Sequence, residues 1–91
     1  MLKIEDFKKY KDERELCWKR FSKDESDFEI IMSFCFDVSK DNAWYQIVIG
    51  QCFDNDYKEI EEHRFNSLKK AVKWWNEYFE GDDKDDVRFA I

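Results

Sequence analysis

Residues 28–38 read Phe-Glu-Ile-Ile-Met-Ser-Phe-Cys-Phe-Asp-Val, and every even position from Phe28 to Val38 is apolar. Side chains of a strand point alternately to its two sides, so a period of two over this length predicts a strand with one face in a core. The next segment, Trp44 to Phe53, carries the same alternation on odd positions, with Tyr45, Ile47, Ile49 and Phe53. Ser39-Lys40-Asp41-Asn42 separates the two segments and consists of residues that suit turn dihedrals. A hairpin closed by those residues sets Val38 against Ala43, Phe36 against Tyr45 and Phe34 against Ile47. It then sets Met32 against Ile49, Ile30 against Gln51 and Phe28 against Phe53. A slip of one residue would turn the second strand's apolar set to the other face, which specifies the register.

After a turn at Asp54-Asn55-Asp56, Tyr57 to Phe65 predicts a third strand. Lys58, Glu59, Glu61, Glu62, His63 and Arg64 surround Ile60 there. Charge of this density is how sheets protect an edge, so this strand is expected at or near one. From Ser67 to Glu80 the period changes. Leu68, Ala71, Val72, Trp75, Tyr78 and Phe79 form one helical stripe, with Trp74 at its margin. Asn66 or Ser67 can cap the start, and Gly81 is expected to end the helix as its left-handed residue. Val87 to Ile91 alternates again and suits a last short strand.

The N-terminal part has two readings. A helix over roughly residues 3–12 fits Ile4 and Phe7 on one face. Leu16 to Phe21 reads either as a continuation of that helix or as a strand that pairs with Phe28 to Val38 across Ser22 to Ser26. The expected fold is therefore α+β. It comprises an antiparallel β-meander of three to four strands, a C-terminal amphipathic helix on one face and an N-terminal helical segment, in a single domain over residues 1–91.

Aromatic residues make up 19% of the chain, which argues against pervasive disorder despite the acidity. No apolar run reaches the length of a membrane span, and Met1 to Asp6 lacks the apolar stretch of a signal peptide. The three cysteines, Cys17, Cys35 and Cys52, are odd in number and widely spaced, unlike a disulfide framework or paired zinc ligands. A reducing cytoplasm is the expected compartment.

Little in the chain points to catalysis. His63, the single histidine, lies on a strand-like segment with no evident activating partner. Asp54-Asn55-Asp56 lacks the oxygen-ligand spacing of a calcium loop. Phosphate-binding glycine loops, nucleophile elbows and H-E-x-x-H motifs are absent from the sequence. The expectation is no enzyme, no cofactor, no metal and no catalytic residue.

Charge is distributed more informatively. Residues 27–63 carry nine acids and two bases, whereas the flanking segments are almost neutral. Opposite the helix, the meander presents Ile31, Cys35, Trp44, Val48 and Cys52, with Gly50 opposite Ile31. That face is too apolar to stand bare unless the N-terminal segment or a partner covers it. An acidic surface suits a basic partner, and Trp44 beside Asp37 and Asp41 suits a contact residue. The expected function is binding: a small acidic inhibitor, or an immunity or anti-defence protein. It would occlude the basic surface of a nuclease or nucleic-acid-guided effector through Asp37, Asp41, Trp44, Asp54, Asp56, Glu59, Glu61 and Glu62. Contact with nucleic acid or membrane is not expected.

Two alternatives stand beside it. Arg64, Lys69, Lys70 and Lys73 with Trp74 form a candidate nucleic-acid-binding set. A sheet followed by a helix bearing Phe65-Asn66-Ser67-Leu68-Lys69-Lys70-Ala71 resembles the small integrase-arm type of DNA-binding domain, over about a third of the chain and without a specific motif. Those domains use a basic sheet, whereas this sheet is acidic and would repel phosphate. A structural or assembly subunit of a phage or bacterial complex is the second alternative.

Overall fold

Three hairpins in succession build the sheet. The computed structural model describes residues 15–37, 42–80 and 87–89. In chain order the elements are β1 (Glu15–Lys23), β2 (Ser26–Asp37), β3 (Asn42–Phe53), β4 (Asp56–Phe65), α1 (Leu68–Tyr78) and β5 (Arg88–Phe89). The strands form one antiparallel sheet in the order β4-β3-β2-β1-β5. The expected meander is present, with five strands among the described residues rather than three or four. Of the two readings of Leu16 to Phe21, the strand holds. The helix expected over residues 3–12 lies outside the described residues, as do Val38 and Gly81.

The face predicted for β2 and β3 holds, and their register does not. Phe34 pairs with Tyr45, Met32 with Ile47, Ile30 with Ile49 and Phe28 with Gln51, two residues from the expected alignment. A shift of two preserves which side chains face the core, so the alternation alone does not distinguish the two registers. Packing does: the observed register matches Ile30 to Ile49 instead of to Gln51, and all four central residues are at most 1% exposed. The unmatched end falls on Phe53, which is 51% exposed.

On β1 the alternation is hidden twice. A bulge between Glu15 and Cys17 makes Leu16 an extra residue, so Leu16 and Cys17 are both buried in succession. The next core-facing position is Lys19, opposite Ile30 and buried. Its stem packs among apolar neighbours and its ammonium lies 4.4 Å from the centre of the Phe79 ring.

The β1–β2 turn consists of Asp24 and Glu25, both left-handed at φ 52° and 66°. Two left-handed residues suit the twist of a two-residue hairpin, but asparagine and glycine adopt them more readily than glutamate. Glu25→Gly is expected to raise stability by about 0.5–1 kcal/mol, seen as a higher urea midpoint; a fall would mean the glutamate side chain contributes more than its backbone strain removes.

α1 lies across the core face. The Ser67 hydroxyl caps its start by accepting from the Lys70 N–H at 3.2 Å. Ala71, Val72 and Trp75 are buried against Cys17, Ile30, Met32, Ile47 and Ile49. The helix ends earlier than its stripe suggested. Phe79 is the C-cap, and Glu80, at φ 55°, is the left-handed residue expected at Gly81. The ring of Phe79 packs edge-on against that of Phe21 at 5.3 Å. No helix among the described residues is long and apolar enough to cross a membrane.

Candidate functional site

The helix covers one face of the sheet, and among the described residues no element packs on the other. Strand alternation places Trp18 and Arg20 of β1 there, with Glu29, Ile31 and Cys35 of β2. β3 adds Trp44, Val48, Gly50 and Cys52, and β4 adds Tyr57, Glu59, Glu62 and Arg64. The apolar positions expected on this face are on it, although Gly50 stands opposite Glu29 instead of Ile31.

The two ends of this face differ in character. At one end Trp44 is half-buried. Its indole N–H donates to Gln46 Oε1 at 3.3 Å, and the Arg64 guanidinium sits 4.8 Å above the ring. Arg64 also donates to Glu62 at 2.8 Å. At the other end a hollow of about 530 Å³ opens between the β1–β2 and β3–β4 hairpins. Asp27, Glu29, Asp54 and Asp56 line it with a single base, Arg20, and with Cys52, Phe53 and Tyr57. Arg20 reaches Glu29 at 3.3 Å but is three-quarters exposed, so the pair is screened by solvent. A smaller hollow of about 290 Å³, lined by Trp18, Arg20, Glu29 and Arg88, adjoins it.

Tyr57, which lines the larger hollow, lies against Gly50. A methyl group on Gly50 would overlap the Tyr57 ring, so the ring lies over bare backbone. Burial raises the pKa of the Tyr57 hydroxyl, and the carboxylates of Glu29 and Glu59 raise it further. Burial also raises that of Tyr78, followed by Glu61. A group whose pKa rises on folding stabilises the fold fully below its unfolded value, about 10 for tyrosine, and loses that contribution as pH passes the folded value. Stability is therefore expected to fall above pH of about 10, and Tyr57→Phe to lessen the fall. An identical alkaline decline in the variant would exclude Tyr57 as a source.

The residues expected to act together are not brought together. Trp44 and Asp54 lie near opposite ends of β3, about 30 Å apart at the rise of a strand. Asp37 ends β2 opposite Asn42, at the Trp44 end. Asp41 lies outside the described residues. Glu59 and Glu62 are on the open face, whereas Glu61 is on the helix face, 3.4 Å from His63. Asp54 and Asp56 do reach the hollow, joined by Asp27, Glu29, Phe53 and Tyr57, which sequence reasoning left out of the site. The one sequence signal for that corner was Gly50, because glycine within a strand marks a close approach.

The alternative basic set is divided too. Arg64 lies over Trp44 on the open face. Lys69, Lys70 and Lys73 are exposed on α1, which covers the other face. Trp74 packs on His63 at 4.4 Å and on Tyr78 at 5.2 Å. None of the three cysteines is in a disulfide, and no group of metal-ligating residues occurs among the described residues.

Comparison with family models, curated proteins and solved structures finds no match to this chain.

Proposed function

We propose that this chain is a small acidic protein-binding module that occludes a basic surface of its partner. On this reading it is an inhibitor, or an immunity or anti-defence protein, directed at the nucleic-acid-binding surface of a nuclease or guided effector. One coincidence carries the reading. Phe53, Tyr57 and Ile60, the exposed large hydrophobics among the described residues, all lie on the β3–β4 hairpin that also forms the acidic hollow. Four carboxylates around a partly apolar depression attract a basic partner at long range and retain it by desolvated contact. Trp44, expected as the anchor, lies at the other end of β3 with the Arg64 guanidinium over its ring, so the contact centre moves to the hairpin.

The test uses the protein and its Asp54→Lys/Asp56→Lys variant as paired baits. The wild type is expected to retain a basic protein that is released as salt approaches about 0.5 M, where exposed charges are screened. The variant is expected not to retain it. The purified partner's activity on nucleic acid should then fall in proportion to added wild type and stop falling near equimolar ratio. Equal capture by both baits, or direct binding of nucleic acid by the wild type in a mobility-shift assay, sinks the reading.

A further inference from the structure

We infer that the outer edge of β4 is a strand-docking edge for an extended basic segment of a partner protein, which adds to the sheet as a further strand. This rests on the protein-binding reading above and states how the contact is made. Among the described residues β4 pairs with β3 alone, and none of them pairs with the backbone N–H and C=O groups of its other edge. Such a row accepts another extended chain through main-chain hydrogen bonds, and the side chains beside it select which chain.

The side chains select a basic one. Within Asp56–Phe65 the acids Asp56, Glu59, Glu61 and Glu62 outnumber the bases Lys58 and Arg64, and Arg64 is already committed to Glu62. Glu59 has no ion-pair partner among the described residues and stands beside Ile60, the extra residue where β4 bulges between its pairings to Ile49 and Gly50. Ile60 is 46% exposed and Tyr57 43%, which leaves apolar contact for an incoming strand.

The same charges oppose pairing of β4 with its own copy. In the fullest antiparallel overlap Glu59 faces Glu62 of the second copy. A shift of one residue sets Glu59 against Glu61, or Glu61 against itself. Like charges directly opposite destabilise a strand pair. Among the described residues the far edge of the sheet is less suited to such a segment. Among the described residues β5 pairs with Cys17 and Trp18 alone, and the rest of β1 carries the exposed Arg20 and Lys23, which repel a basic segment.

The probe is a capped peptide alternating lysine and valine, with a glutamate–valine peptide as its control, titrated into the full-length isotope-labelled protein at low salt. The expected result is saturable shift changes along residues 56–65 with the lysine peptide only. Alternate β4 amides, those pointing away from β3, should exchange with solvent at least about tenfold more slowly once the new strand pairs with them. Glu59→Lys/Glu61→Lys should abolish both effects while leaving thermal stability nearly unchanged, since both side chains are exposed. Shifts centred on Trp18, Ile31 and Val48 without β4 protection would overturn strand docking and leave the protein-binding reading standing. So would absence of peptide binding while paired-bait capture persists. Concentration-dependent oligomers with β4 amides already protected would assign the edge to a second copy and overturn the inference.

Discussion

Trp75→Ala is expected to remove about 3–5 kcal/mol of stability, a large part of the 5–15 kcal/mol typical of a single domain. Trp75 is 3% exposed and, with Ala71 and Val72, forms the part of α1 that enters the core. The helix has 11 residues, with no acid in its first turn and no base in its last. An isolated helix of that length is marginal in water, so its stability comes from docking. Removing the indole deletes the largest docking contact and also frees Phe79, whose ring is 5.5 Å from that of Trp75 and carries the Lys19 ammonium on its face. The variant should unfold at a much lower urea concentration and lose part of its helical circular dichroism before the sheet melts. A loss below about 1 kcal/mol would place Trp75 outside the core.

The second large effect compares two neighbours. Ile30→Ala is expected to cost about 2–5 kcal/mol, because the side chain is fully buried between Ile49 and the Lys19 stem. Ile31→Ala, one residue away on the half-buried open face, should cost less than half as much. The urea midpoints of the two variants check this directly. Equal losses would mean that both faces of the sheet are buried, which would leave no open face for a partner and weaken the proposed function together with the fold.

These paired isoleucines also mark how far the sequence could be read. Phe28 to Val38 and Trp44 to Phe53 announced strands, because a half-buried strand has a pattern that follows the pleat. Leu68 to Phe79 announced a helix because its stripe is continuous. β1 did not announce itself. Its bulge puts Leu16 and Cys17 in the core consecutively, and its next inward residue is a lysine. No local pattern distinguishes that lysine from a surface one, since its place is created by Phe79 on a distant element. The β2–β3 register escaped for a related reason: registers two residues apart have identical inward faces, and only the match of Ile30 to Ile49 decides between them.

The candidate site divides along the same line. The concentration of acids in residues 27–63 and the edge position of the polar β4 follow from composition, because solvation and edge protection are properties of a segment. Which acids share a surface is a property of register and face. A single residue's difference in parity sends Glu61 to the helix side and Glu62 to the open side, and the length of β3 parts Trp44 from Asp54. By itself, then, the sequence determined the classes of β2, β3, β4 and α1, the inward faces of β2, β3 and α1, and an excess of negative charge, because each depends on local periodicity or on counting. Only the tertiary structure decided the register, the partner of Lys19 and the meeting of Asp27, Glu29, Asp54, Asp56 and Tyr57 at one hollow. Those depend on side chains distant in the chain competing for the same space.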